Sequence, residues 1–123
     1  MLIEGTMRVP LFLDQPGPGA HLLLGVDGMP TINSQMPWAD YPFLVLIPPA
    51  AMDGPLPLAQ FGHGLFSDQR EIVWFEIPFA SSYGYVLFAT DWIGMHEDDE
   101  IYVGAVVDGG HFEDFATVVD RQM

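Results

Sequence analysis

Tyr85 to Ala89 (YVLFA) is a continuous apolar run, and Gly84 comes directly before it. A run without polar alternation is typical of a strand that is buried on both faces, as in a parallel sheet. A second apolar run, Leu56 to Phe61, lies upstream and ends in Gly62-His63-Gly64. The segment between the two runs has the spacing of a helix. Strand, glycine-rich turn, helix and strand in this order predict a βαβ unit, which is right-handed by strong preference.

The connecting segment carries its own start and stop signals. Ser67 or Asp68 can cap a helix, and Glu71, three residues after Asp68, completes a capping-box pattern. Apolar residues then recur at helical spacing, namely Ile72, Phe75, Phe79 and Ala80. Because Pro78 removes a backbone hydrogen bond, we expect a kinked helix or two pieces. Gly84 suits the position that ends the helix.

The first fifty residues indicate β structure with turns. Met7 to Leu13 is strand-like, and Pro10 within it indicates an edge position. Val26-Asp27-Gly28 carries the Asp-Gly signal of a β-hairpin. Tyr41 to Ile47 is a second strand, closed by two prolines. These signals predict an antiparallel meander.

A further helix is expected at the end of the sequence. Asp108 can cap it, and one helical face collects Phe112, Phe115, Val119 and Gln122 or Met123. No Gly, Asn or Pro follows to end this helix, so the chain looks interrupted. We therefore expect an α/β chain in a single domain, 1–123, that is the N-terminal part of a larger protein. Within it, 1–50 are accessory strands and 51–123 hold the βαβ unit and the last helix.

The charge balance excludes several classes of partner. Seventeen acidic residues face three arginines and no lysine, for a formal charge of −14. Such a surface repels phosphate backbones and anionic lipids. No apolar run approaches the roughly 18 residues of a membrane span, and no basic segment followed by an apolar one marks a signal peptide. The charge itself is explained by solubility, with a cationic partner or a metal as the alternative.

Gly62-His63-Gly64 marks the place where a parallel strand ends before a helix. Unpaired backbone N–H groups at such a place point into the space above the sheet edge. Glycine lets a ligand approach that backbone without meeting a Cβ. The pattern therefore suits an oxyanion, although a turn with an incidental histidine would show the same letters.

Two segments together resemble the α/β-hydrolase family, and more closely its bacterial lipase- and esterase-like members. They are PLAQFGHGLFSDQREI and YGYVLFATDWIGM, and the resemblance covers about residues 43 to 100. It implies that the Leu65 backbone N–H, after His63 and Gly64, is half of an oxyanion hole. It also implies that His63 braces this loop. Phe66 and Trp92 would flank the hole and line an acyl pocket, or they pack in the core.

The chain departs from this family in one respect that decides its activity. The Gly-x-Ser-x-Gly nucleophile motif is absent, and Ser81 and Ser82 lie where a helix should end. The serine, acid and histidine of the family follow in that order, downstream of the last helix seen here. The chain is therefore expected to be an N-terminal hydrolase fragment, inactive alone, without a cofactor. An ester or lipid-like molecule would be the substrate of the completed enzyme.

Several alternatives stay open beside this interpretation. His96 to Glu100, with Asp108, His111, Glu113 and Asp114, could bind Ca²⁺ in a non-catalytic acidic module, but it lacks the spacing of an EF-hand. A solvated loop explains the same letters. Asp91, at the end of YVLFA, is expected to shape a turn. A βαβ unit without neighbouring strands would leave YVLFA poorly covered, so self-association is expected. The compartment is not fixed by the sequence, although the family suggests a bacterial secreted or envelope protein.

Overall fold

A computed structural model of the chain describes residues 1–75 and 77–115, which form a mixed four-stranded sheet with helices, an α/β arrangement. The strands are β1 (Leu2–Pro10), β2 (Trp38–Leu46), β3 (Leu58–Phe61) and β4 (Val86–Thr90). The helices are α1 (Glu71–Phe75), α2 (Ile77–Tyr83) and α3 (Glu100–Gly109), with 3₁₀ turns at Pro49–Met52, Glu97–Asp99 and Phe112–Phe115. The strand order is β1-β2-β4-β3.

β1 and β2 form an antiparallel ladder that runs from the pair Leu2 and Leu46 to the pair Pro10 and Trp38. The predicted strand Met7 to Leu13 is therefore wrong in its bounds, because the strand begins five residues earlier and ends at Pro10. Proline at the end of an edge strand removes no ladder bond that a neighbour needs. β1 does lie at an edge of the described sheet.

The predicted βαβ unit is present, since β3 and β4 pair in parallel and α1 and α2 lie between them in the chain. Pro78 is the second residue of α2, where its missing N–H is not needed. Gly84 has a φ of +71° and ends α2. The N–H groups of Gly84 and Tyr85 both donate to the carbonyl of Ala80, at 3.0 and 3.3 Å. The glycine stop signal is thus confirmed.

One core lies between the sheet and the first two helices. Leucine and alanine side chains from β2 and β4 pack there against α1 and α2, and the buried members are Leu44, Leu46, Ile72, Ala80, Leu87 and Ala89. Each large side chain among them contributes roughly 1.5–3 kcal/mol by burial. The expectation that both faces of β4 would be poorly covered is wrong for the helix side, where Leu87 and Ala89 are buried, whereas the other face is half-buried. Along its edges β4 pairs with β2 and with β3. β1 and β3 form the edges of the described sheet, and self-association stays a prediction.

A second core lies under the long connection between β1 and β2. Leu11, Leu13 and Ala20 are buried there with Ala39 of β2. The turn at Asp27-Gly28 exists, with Gly28 at a φ of +75°. It is flanked by a single bridge, Leu24 with Pro30, and not by regular strands; a second bridge, Leu13 with Leu22, lies before it in the chain. The predicted meander is therefore reduced to the β1–β2 pair.

The acidic stretch after β4 differs most from expectation. It forms a 3₁₀ turn at Glu97–Asp99 followed by α3, so it is not a loop. Glu97, Asp98 and Glu100 are exposed as a solvated segment predicts, but Asp99 is only 1% exposed. Asp108 lies in the last turn of α3, and Gly110, at a φ of +70°, ends that helix. The expected last helix is described only as a 3₁₀ turn at Phe112–Phe115, since Val119, Gln122 and Met123 lie outside the described residues.

Candidate functional site

The carboxyl ends of β3 and β4 continue into two loops, 62–70 and 91–99, that lie side by side. Ser67 forms a parallel bridge with His96. The N–H of Phe66 donates to the carbonyl of Met95 at 2.8 Å. Adjacent parallel strands bring their carboxyl ends to one edge of a sheet, which is where ligands bind in open α/β sheets.

His63 connects these two loops through both of its ring nitrogens. Nε2 accepts the Trp92 backbone N–H at 2.6 Å, and Nδ1 lies 2.7 Å from the carbonyl oxygen of Gly64. A backbone N–H can only donate, so Nε2 carries no proton and Nδ1–H is the donor to Gly64. The ring is 5% exposed. The imidazole is thus a neutral link between the two loops in one tautomer.

The peptide between Gly64 and Leu65 is fixed by bonds to its carbonyl. That oxygen accepts from His63 Nδ1 and from the Ser67 N–H, at 2.7 and 3.2 Å. In a planar trans peptide the C=O and the N–H point in opposite directions, and the described residues include no cis bond. The Leu65 N–H is therefore aimed away from both donors. Among the described residues it has no hydrogen-bond partner.

The neighbouring amide is occupied. The Gly64 N–H donates to Oε2 of Glu71 at 2.6 Å. The sequence assigned Glu71 to a capping box around Asp68, and this is wrong, since its carboxylate reaches back seven residues to Gly64. Of the two consecutive amides, that of Leu65 alone is open to an external acceptor.

Phe66 directly follows this amide in an unusual conformation. Its φ is +57°, in the left-handed region that costs a residue with a side chain about 1–2 kcal/mol. The bond to the Met95 carbonyl and the adjacent bridge at Ser67 hold the chain there. Such strain is often found at binding sites. Here it turns the chain sharply after Leu65.

Gly62 makes room for an indole and not for a ligand. A Cβ at Gly62 would lie 2.5 Å from Cζ2 of Trp92. Trp92 is 43% exposed and tilts against the His63 ring at a centroid distance of 6.4 Å. The sequence left Trp92 between an acyl pocket and core packing, and the structure places its ring against Gly62.

Asp91 ties the start of α1 to the end of β4. Its Oδ1 accepts the Gln69 N–H at 2.9 Å, and the side-chain amide of Gln69 turns its NH₂ group toward the same carboxylate. His96 Nε2 lies 3.4 Å from Oδ2 of Asp91. His96 Nδ1 in turn accepts the N–H of Asp98 at 3.3 Å. Asp91 thus makes local contacts, in line with the structural role that the family resemblance implies for it.

A cleft of about 400 Å³ opens beside the Leu65 loop, on the side of α1. Phe66 and Trp74 supply its aromatic surface, and its polar groups are those of Ser67, Asp68, Arg70, Glu71 and Glu97. Phe66 lines this cleft, whereas Leu65 and Trp92 are not among its lining residues, and the acyl pocket stays a prediction. Trp74 is largely exposed and was not predicted as a site residue. Nothing in the neighbouring sequence distinguishes a helical tryptophan that lines a cleft from one that lies on the open surface.

The remaining candidates are not brought into this arrangement. Ser81 and Ser82 are exposed in α2 and do not lie on a turn between strand and helix. Within residues 1–75 and 77–115, no group of three or more His, Asp or Glu side chains could hold a metal ion. No helix in the same ranges has the length and apolarity to cross a membrane.

Searches of the chain against protein-family models, curated proteins and solved structures found no match.

Proposed function

We propose that this chain is the N-terminal part of a serine carboxylic-ester hydrolase of the α/β-hydrolase class, in which the Leu65 N–H is one donor of the oxyanion hole. The observation that carries the proposal is the state of that amide. It is unpaired, it lies at the carboxyl edge of the parallel strand pair, and its direction is set by a buried histidine. A loop that served only as a connection would not need its amide directed in this way.

The order of elements supports the same proposal. β3 is followed by Gly62-His63-Gly64-Leu65, then by α1 and α2, then by β4 and Asp91-Trp92. This is the succession that the family resemblance implies. His63 acts as a positioning residue, because both of its nitrogens are engaged by the backbone and neither is available to move a proton.

The chemistry assigned to this loop is transition-state stabilisation. When a carbonyl is attacked, its oxygen gains charge, and a preorganised N–H stabilises that charge without having to reorient. The attacking serine is absent here, since the sequence has no Gly-x-Ser-x-Gly. The 123 residues alone are thus proposed to have no esterase activity, and the completed enzyme is proposed to act on ester or lipid-like substrates.

The test extends the reading frame past Met123 to include a Gly-x-Ser-x-Gly segment and measures hydrolysis of a p-nitrophenyl ester. Leu65→Pro removes the N–H donor, and Leu65→Ala is the matched control that keeps it. Loss of one such donor lowers kcat by about 10²–10³-fold. We expect that loss in the proline variant and near wild-type kcat in the alanine variant.

Two outcomes would contradict the proposal. Turnover of the ester by the unextended chain at enzyme-like rates would mean that another nucleophile is present. Equal kcat in an extended enzyme and its folded Leu65→Pro variant would remove the role of this amide. Circular dichroism of each variant establishes that it is folded.

A further inference from the structure

A separate cavity of about 200 Å³ lies on the sheet face opposite α1 and α2. Tyr41 of β2 and Thr90 of β4 line it. Leu44 and Ala89 of the same two strands lie an odd number of residues away and pack against the helices. Because side chains alternate between the two faces of a sheet, the cavity is on the opposite face. Its remaining wall is mostly aliphatic and comes from β1 and the connection that follows it, through Met7, Val9, Leu11, Leu13 and Leu22, with Ile93 from beyond β4.

Three side chains in this wall carry polar groups: two of them, Thr90 and Asp91, are already engaged, and the third is the buried hydroxyl of Tyr41. The Thr90 hydroxyl donates to the carbonyl of Pro42 at 2.8 Å. The Asp91 carboxylate accepts the Gln69 N–H at 2.9 Å and lies against His96. A water molecule in a buried site needs two to four polar partners, and one hydroxyl beside two engaged groups does not supply them. The cavity therefore favours an apolar occupant.

The size of the cavity selects a class of occupant. An apolar cavity of roughly 150 Å³ in another protein stays dry and binds benzene. The cavity here is somewhat larger, and Phe12, which lines it and is 37% exposed, places it within reach of the surface. Leu11 and Leu13 are buried, so its floor belongs to the second core.

We infer that this cavity is a binding site for a small uncharged apolar molecule, of the size of benzene or toluene. The inference does not depend on the proposed hydrolase function, because the cavity shares no lining residue with the Leu65 loop. A bound molecule would contact β1, the first part of the connection between β1 and β2, and the end of β4. It would add packing where these segments meet.

The test is a titration of the full chain with toluene, followed by the ¹³C-methyl signals of its methionines. Met7 lines the cavity, whereas Met52 is 88% exposed and serves as an internal control. A Met7→Leu variant assigns the reporter signal. We expect a saturable shift of the Met7 methyl and no shift of Met52. A Met7 signal that does not move, or that drifts linearly together with Met52, would overturn the inference.

A filled cavity provides the second measurement. In Leu22→Phe the larger ring takes up the space, and the Met7 response to toluene is expected to be lost. Leu24→Phe adds the same group at an exposed position outside the cavity and should leave the response intact. If Leu22→Phe fails to fold, as judged by circular dichroism, Val9→Leu fills the same space from β1. Toluene binding that persists in a folded filled variant would overturn the inference, as would saturable binding of benzylammonium in place of toluene.

Discussion

Gly62 and Gly64 flank the same histidine, and the structure predicts opposite results when each is replaced by alanine. At Gly62 the new Cβ would lie 2.5 Å from Cζ2 and 2.9 Å from Cε2 of Trp92, which is too close for any real contact. At Gly64 the nearest atoms are the carboxylate oxygens of Glu71, at 3.5 and 3.6 Å, an ordinary contact. Neither glycine has a φ in the left-handed region, so alanine strains neither backbone.

The magnitude follows from two effects. Replacing glycine by alanine stabilises the folded state by about 0.4–1 kcal/mol, since the unfolded chain loses freedom, and both variants share this gain. Overpacking costs about 1–3 kcal/mol, and only Gly62→Ala has it. The free energy of unfolding of Gly62→Ala is thus expected to be about 1–3 kcal/mol lower than that of Gly64→Ala. The Trp92 N–H bond to His63 limits how far the indole can withdraw.

Urea unfolding followed by far-UV circular dichroism measures this difference, because both variants are expected to keep the same dependence on urea. A double-mutant cycle with Trp92→Ala tests whether the indole is the cause. Without the indole, Gly62→Ala should no longer lower the free energy of unfolding. Equal midpoints for the two glycine variants would refute the packing argument. A penalty at Gly62 that survives in the Trp92→Ala background would refute the assignment to the indole.

Two further predictions concern carboxylates. Asp99, which is buried, accepts the N–H groups of Gly94 and His96 at 2.9 and 3.2 Å, so Asp99→Ala is expected to cost about 1–3 kcal/mol for the donors left unpaired, measured by urea unfolding. Asp40 pairs with Arg8 across the β1–β2 ladder at 3.0 Å, and the hydrogen bond from that guanidinium lowers the pKa of Asp40 below its usual value. The stabilisation is present above the unfolded pKa of about 3.9 and is lost as the pH falls through the lower folded pKa, so wild type and an Asp40→Asn variant should converge in stability at low pH and also at high salt.

The sequence predicted the parts of the fold that short-range chemistry decides. Gly84 ends α2 because a left-handed residue there requires no partner beyond the preceding turn. The Tyr85 to Ala89 run became strand β4, but it is buried on one face and half-buried on the other, and one of its two neighbours is antiparallel. These signals are complete within a few residues, and tertiary contacts did not have to override them.

The predictions that were wrong concern residues whose contacts are not visible in the local sequence. Their partners lie further along the chain, or the residue stands among others of the same type. Four consecutive acidic residues, Glu97 to Glu100, indicate a solvated segment, and nothing local shows that Asp99 alone turns inward to the amides of Gly94 and His96. Glu71 has the spacing of a capping box with Asp68, but its carboxylate instead accepts the N–H of Gly64, seven residues earlier. Leu11 and Leu13 continue the alternation of β1, yet they leave the sheet for the second core.

The sequence predicted the backbone part of the candidate site but not the side-chain contacts that hold it. Glycines beside a histidine at a strand end indicated a loop with directed amides, but the sequence assigned the glycines to a ligand. In the structure Gly62 makes room for the Trp92 ring. The direction of the Leu65 N–H is set by the Gly64 carbonyl of the same peptide, which is bonded to His63. Because the Trp92 N–H donates to Nε2, the proton of the neutral ring lies on Nδ1, which donates to that carbonyl. The loop after β4 thus holds the loop after β3 through one tautomer of His63. In the proposed hydrolase, this would set the direction of the Leu65 amide before a substrate binds, as the stabilisation of a transition-state charge requires.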